Sequence, residues 1–76
     1  MTRGEALKQA RELWGLAGYV QKKKEKCFVG ISTRYVKKKM PDLDIAEHDE
    51  WYGDGPTFEE AFKKAERNGF GKGFQP

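Results

Sequence analysis

The sequence predicts an α+β domain with the element order α-β-β-β-α, in which two helices pack on one face of a three-stranded antiparallel sheet. Apolar residues follow helical spacing in two segments, one near each end of the chain. Apolar and polar residues alternate with the period of a strand in the middle. The connections between these middle segments are short, which favours antiparallel neighbours. With 76 residues, the chain has room for a single domain.

The first helix is predicted over residues 2–15. Thr2 suits the N-cap position, and Glu5 stands three residues later, which is the spacing of a capping box. Gly15 suits the position just past the helix, where a left-handed backbone is common. The apolar stripe of this helix consists of Ala6, Leu7, Ala10, Leu13 and Trp14. This stripe is expected to pack on the sheet.

Two strands are predicted over residues 17–23 and 26–36, joined by a short hairpin connection. The alternation is clearest in the second strand, where successive side chains point to opposite faces. One face holds Cys27, Val29, Ile31, Thr33 and Tyr35, and the other holds Phe28, Gly30, Ser32 and Arg34. Cys27 is therefore expected to be a buried thiol on the more apolar face.

A loop over residues 37–44, which contains Pro41, is predicted to lead into a third strand over residues 45–52. The apolar residues that anchor this strand are Ile45, Trp51 and Tyr52. Glycine and proline recur over residues 53–56, and these residues are expected to end the strand.

The last helix is predicted over residues 57–68, with a second capping box formed by Thr57 and Glu60. Its apolar face consists of Phe58, Ala61, Phe62 and Ala65. Phe70 follows the end of the helix and is expected to pack back on this face.

A single domain is predicted over residues 1–70, followed by a flexible tail over residues 71–76. Its core is expected to join the apolar faces of both helices to one face of the sheet. The predicted core residues are Leu7, Ala10, Leu13, Trp14, Tyr19, Val29, Ile31, Trp51, Phe58, Phe62 and Ala65. A core of this size is small, so that both a monomer and a homodimer remain open.

Charge is distributed unevenly along the chain, whose formal net charge is +3. Residues 21–39 hold eight basic residues and one acid, whereas residues 40–60 hold eight acids and no Lys or Arg. The two segments either pair across neighbouring strands or form two separate charged surfaces. In the second case, the basic surface suits phosphates or an acidic protein, and the acidic segment suits a basic partner.

No group of residues has the spacing of a catalytic or metal site. Cys27 is the only cysteine, which excludes an intrachain disulfide and a cysteine-based zinc site. His48 lies among acids, but neighbours along a strand alternate between faces, and the spacing of a calcium loop is missing. The turn Gly53-Asp54-Gly55 lacks the Gly-Lys-Ser/Thr of a phosphate loop. We therefore predict a non-catalytic protein without a cofactor or a metal.

The sequence also predicts the compartment. No apolar run has the length of a membrane helix or the form of a signal peptide. Small secreted domains usually carry two or more disulfides, whereas this chain has one cysteine. These features predict a cytoplasmic protein that does not act at a membrane.

A protein partner is the first functional hypothesis. Phe28 and Tyr52 are expected on the sheet face opposite the core, and exposed aromatic residues ringed by charge are typical of protein-binding surfaces. The predicted contact residues are Phe28, Tyr52, Lys37, Lys38 and Lys39. The alternative is a nucleic-acid-binding protein that contacts the phosphate backbone. Its predicted contact residues are Lys22, Lys23, Lys24, Lys37, Lys38 and Lys39.

Short motifs mark the first hairpin and the entry into the last helix. They are Tyr19 and Phe28-Val29-Gly30 in the hairpin, Gly53-Asp54-Gly55-Pro56-Thr57 before the helix, and Ala61 and Ala65 within it. Together with the element order and the length, these motifs resemble the double-stranded RNA-binding domain over residues 4–70. The resemblance implies the α-β-β-β-α topology of that family.

The residues with which that family contacts RNA differ here. The family has lysines at the start of the last helix, where this chain has Phe58-Glu59-Glu60. It has a histidine in the first hairpin loop, where this chain has Lys24-Glu25-Lys26. The resemblance therefore implies the topology and not that mode of RNA binding. In size and style, the chain is also similar to small accessory proteins that bacteriophages encode to modulate host machinery.

Overall fold

The computed structural model of the protein describes residues 1–69 and has the predicted α+β class. The elements are α1 (Arg3–Trp14), a 3₁₀ turn (Gly15–Ala17), β1 (Gly18–Lys23), β2 (Lys26–Ser32), α2 (Thr33–Lys39), β3 (Asp49–Gly55) and α3 (Phe58–Arg67). The three strands form an antiparallel sheet in the order β1-β2-β3, which packs against helices α1 and α3. The predicted packing of Phe70 and the predicted tail over residues 71–76 lie outside the described residues.

Both core helices begin at the predicted caps. The Thr2 Oγ1 atom accepts a hydrogen bond from the Glu5 backbone N–H at 3.2 Å, and the Glu5 carboxylate accepts one from the Thr2 N–H at 2.9 Å. This reciprocal pair is the predicted capping box of α1. In α3, the Thr57 Oγ1 atom accepts from the Glu60 N–H at 3.2 Å, and within residues 1–69 only this half of the second predicted box forms.

The second strand is shorter than predicted, because the chain turns into α2 after Ser32 instead of continuing as a strand to residue 36. For the same reason the predicted loop over residues 37–44 is wrong for residues 37–39, which complete this helix, and correct for residues 40–44. The Thr33 hydroxyl accepts from the His48 N–H at 2.7 Å and lies 2.8 Å from the Ala46 carbonyl, to which it donates. These contacts join residues far apart in sequence, so the local alternation did not reveal them.

The third strand begins later than predicted and continues through the glycines that were expected to end it. Gly53 lies directly under α3: a Cβ atom at this position would collide with the Ala61 carbonyl oxygen and lie 2.6 Å from the Ala65 nitrogen. Glycine is needed here because it lets the helix backbone approach the strand. The glycines therefore serve helix–strand packing within β3 instead of a turn after it.

A β-bulge in β3 changes which side chains face the core. Val29 of β2 pairs with Gly53, but the next residue, Gly30, pairs with Trp51, so that Tyr52 is an extra residue between the two pairs. A bulge of this kind interrupts strict alternation along a strand. As a result, Tyr52 turns toward the helices and Trp51 turns away from them.

The core agrees with the prediction for both helices and differs in the sheet. The buried apolar residues are Ala6, Ala10, Trp14, Val20, Cys27, Val29, Tyr52, Phe58, Ala61, Phe62 and Ala65. Leu7, Leu13 and Ile31 are partly buried and pack against this cluster. Tyr19 and Trp51 were predicted in the core, but both lie on the other face of the sheet, where their rings contact each other. Cys27 is buried as predicted.

Candidate functional site

The candidate site lies on the sheet face turned away from α1 and α3, which we call the open face. The strand register places Tyr19 of β1 and Trp51 of β3 on either side of Gly30 in the central strand. Phe28 lies two residues before Gly30 and therefore on the same face. Three aromatic residues from three strands thus share the open face.

These three residues, Tyr19, Phe28 and Trp51, form a contiguous group that we call the open-face cluster. The ring centroids of Phe28 and Trp51 are 5.8 Å apart, and those of Tyr19 and Trp51 are 6.4 Å apart. Gly30 carries no side chain between Tyr19 and Trp51, which allows their rings to meet over the central strand. Each residue of the cluster is only partly buried.

Tyr52 does not belong to this surface, and its prediction as an exposed contact residue is wrong. The bulge turns it into the core, where it is 3% exposed and its ring meets the Trp14 ring edge-on at 5.1 Å between centroids. Burial raises the pKa of the Tyr52 hydroxyl to about 12, and the neighbouring Glu50 carboxylate adds to this shift. Trp51 occupies the open face in its place. Glycine inside a strand often marks a bulge or a close approach of backbone, and Gly30 lies at this bulge. That signal does not say which of Trp51 and Tyr52 faces the core.

Ion pairs border the open-face cluster. Asp54, opposite Phe28 in the register, contacts the Lys26 Nζ atom at 2.8 Å and the Lys64 Nζ atom at 2.6 Å. The hydrogen bond from Lys26, followed by the one from Lys64, lowers the pKa of the Asp54 carboxyl to about 2. The carboxylate therefore carries its charge throughout the physiological pH range.

The structure shows what becomes of the two oppositely charged segments. Lys26 pairs with Asp54, and the Arg34 guanidinium contacts the Asp49 carboxylate at 2.6 Å. Within residues 1–69, the other six lysines of the basic segment make no ion pair. They are Lys22, Lys23, Lys24, Lys37, Lys38 and Lys39. The segments therefore neutralise each other only in part.

The two lysine clusters lie at opposite ends of the central strand. Lys22, Lys23 and Lys24 stand at the β1–β2 hairpin, whereas residues 37–39 form the last turn of α2, which follows the far end of β2. Seven residues of strand separate the two ends, which corresponds to about 20 Å. Lysines 37–39 and Phe28, which were predicted to share a protein-binding surface, are therefore not brought together.

A shallow recess of about 520 Å³ opens at the hairpin end of the open face. It is lined by Phe28, Gly55 and Pro56 together with the hairpin residues 23–26. The Lys26 Nζ atom lies 5.7 Å from the centre of the Phe28 ring, which is within the range of a cation–π contact. The recess thus combines an apolar floor with a basic border.

Within the described residues, no group of three or more His, Cys, Asp or Glu side chains is arranged to hold a metal ion. In the same part of the chain, no helix is long and apolar enough to cross a membrane. Cys27 is buried, with its sulfur 3.8 Å from the Pro56 carbonyl oxygen, whereas His48 is exposed beside Thr33.

Comparisons with protein-family models, with curated proteins and with solved structures find no match to this chain.

Proposed function

We propose that this protein is a small non-catalytic module that binds another protein through the open-face cluster. The observation that supports it is the group of three aromatic rings on the sheet face opposite α1 and α3, in which the Trp51 ring contacts both of the others. Trp and Tyr are enriched among the residues that contribute most to protein–protein binding, because they bury a large area and lose little conformational entropy. Trp51 stands between the other two rings and is the expected centre of the contact.

The charges around the cluster favour a protein over a nucleic acid as the partner. Charged residues are depleted at the centre of protein interfaces and common at their rims, which matches the position of the Asp54 and Asp49 ion pairs. A small accessory protein of a phage or mobile element, acting on a host protein in the cytoplasm, is the setting that this proposal fits.

Replacing Trp51 by alanine is expected to weaken capture of the protein partner by tenfold or more, on the order of 2 kcal/mol for a central aromatic contact. Phe28→Ala should weaken it in the same direction. The measurement is quantitative mass spectrometry of proteins captured from a lysate of the source cells by the intact chain. Lys63→Ala, on the exposed side of α3, is the control and should leave capture unchanged. Equal capture by all variants, with unchanged circular dichroism, would contradict the proposal.

A nucleic-acid-binding protein is the second candidate, and one observation favours it. The six lysines named above make no ion pair within residues 1–69, so their charges remain available to phosphates. Lysine contacts phosphate as a point charge and confers little sequence selectivity. The resemblance to the double-stranded RNA-binding domain remains a separate prediction and does not support this candidate.

If this second candidate is correct, binding to a DNA duplex should weaken steeply with salt, with a log–log slope of about 0.9 per phosphate neutralised. Lys23→Gln combined with Lys24→Gln should then reduce the slope by about 0.9 for each phosphate that the variant no longer neutralises. Fluorescence anisotropy of a labelled duplex in a salt titration measures the slope. A flat salt dependence, or no binding at about 50 mM salt, would remove this candidate.

A further inference from the structure

We propose that the recess at the hairpin end of the open face binds an acidic segment of the partner protein that carries one large apolar side chain. The inference rests on the proposed function, because Phe28 belongs both to the open-face cluster and to the recess. It adds the chemistry of the partner, which the aromatic cluster alone does not specify.

The floor of the recess is suited to an apolar anchor. Phe28 presents its ring, and Pro56 and Gly55 supply apolar surface without a charged group. The neighbouring lysines of the hairpin can lay their methylene stems along this surface while their ammonium groups stay in water. The recess is shallow and open to solvent, and its volume of about 520 Å³ is ample for one Leu or Phe side chain.

The border of the recess is basic. Lys23 and Lys24 are exposed and make no ion pair with any residue of the described chain, so their full charges face an incoming partner. Lys26 shares the Asp54 carboxylate with Lys64, which leaves a net positive charge on that group of three. Glu25 is the one acid among the residues that line the recess. The excess of positive charge attracts an acidic segment and disfavours a basic one.

The positions of the lysines also predict where the acidic residues of the bound segment lie, namely on both sides of its apolar residue. Lys23 and Lys24 belong to the hairpin on one side of Phe28, whereas Lys26 and Lys64 approach Asp54 on the β3 side. An anchor seated on Phe28 would thus have positive charge toward both flanks. Carboxylates before and after the apolar residue complement this arrangement.

The first test uses a fluorescein-labelled peptide in which aspartates flank a single leucine, titrated with the intact chain and followed by fluorescence anisotropy. Replacing the leucine by glycine, or the aspartates by asparagines, is expected to weaken binding by about tenfold in each case. Labelled oligothymidylate of the same net charge is the comparison for nucleic acid. No binding of the leucine peptide, equal binding of the glycine peptide, or tighter binding of the oligothymidylate would overturn the proposal.

The second test compares two variants with the same change in net charge. Lys23→Glu with Lys24→Glu is expected to weaken binding of the leucine peptide by about tenfold or more. Lys37→Glu with Lys38→Glu alters the other end of the domain, about 20 Å away. This variant should change the affinity for the leucine peptide by about twofold or less. All four lysines are on the surface, and circular dichroism checks that both variants fold. Equal weakening in the two variants would indicate an effect of overall charge and would overturn the proposal.

Capture of the natural partner separates a failure of this inference from a failure of the proposed function. If Trp51→Ala abolishes capture but Lys23→Glu with Lys24→Glu leaves it unchanged, the open face remains a protein-binding site. The inference that the recess binds an acidic segment is then overturned. Capture that depends on both sites supports the inference. Capture that is insensitive to Trp51→Ala contradicts the proposed function itself.

Discussion

Replacing Trp14 by alanine is expected to lower the free energy of unfolding by about 3–5 kcal/mol, which is the usual cost of removing a buried tryptophan. The residue is 6% exposed and joins three elements of the core. Its ring meets Tyr52 of β3 edge-on at 5.1 Å and stacks on Phe62 of α3 at 5.9 Å. Because a domain of this size has a small core, such a decrease should leave much of the variant unfolded at room temperature.

Urea denaturation followed by far-ultraviolet circular dichroism measures this decrease, and the chain supplies its own control. Trp51→Ala removes the same side chain from the partly exposed open face and should shift the midpoint much less. The two tryptophans are therefore expected to behave in opposite ways, one affecting stability and the other affecting partner capture. A Trp14→Ala variant with the wild-type midpoint would contradict the packing of Trp14 between Tyr52 and Phe62.

Replacing Gly53 by alanine is expected to destabilise the domain by about 3 kcal/mol or more, although it adds a single methyl group. That methyl would collide with the Ala61 carbonyl oxygen and lie 2.6 Å from the Ala65 nitrogen, and both are backbone atoms of α3. Backbone cannot rotate out of the way as a flexible side chain can. Helix α3 would have to move off the sheet, which would open the contacts of Phe62 with Trp14.

Gly4→Ala is the matched control for this substitution. Gly4 lies in the first turn of α1, and a Cβ atom there would meet only the Thr2 Oγ1 atom, at 3.9 Å. Alanine is the better helix former, so this variant should gain about 0.5–1 kcal/mol. Opposite shifts of the two denaturation midpoints are expected. Equal midpoints would show that α3 does not approach β3 as closely as the structure indicates.

The candidate site was predicted only in part, and the main reason lies in β3. Alternation correctly placed Phe28 on the open face, since β1 and β2 pair without interruption. It failed for Trp51 and Tyr52, because the bulge between the Val29 and Gly30 pairs changes the face of every residue on one side of it. Because Trp51 and Tyr52 are neighbours in the sequence, local alternation allows either of them to face the core. Contacts with Trp14 and with the ring of Phe28 decide between them.

Tyr19 was misplaced for a simpler reason. It is followed directly by Val20, and either of these two neighbouring apolar residues could face the core. The register with β2 decides, because Val20 pairs with the buried Val29 and Tyr19 pairs with Gly30.

The arrangement of charge was also predictable from the sequence only in part. The sequence establishes that a basic segment precedes an acidic one, but leaves open whether they pair. In the folded chain, Lys26 and Arg34 find acids of β3, whereas within residues 1–69 Lys23 and Lys24 of the hairpin do not. Pairing depends on which side chains the sheet register brings within reach, and so the recess with its basic border emerges only in the folded domain.

The sequence by itself determined the class of the fold, the two core helices with their threonine caps, the antiparallel hairpin and most of the core. These features depend on interactions within a few residues, which local spacing records. The tertiary structure alone decided the start of α2, the bulge at Tyr52 and the course of β3 through its glycines. Each of these depends on atoms distant in sequence: Thr33 bonds to His48, Tyr52 packs on Trp14, and Gly53 lies against Ala61.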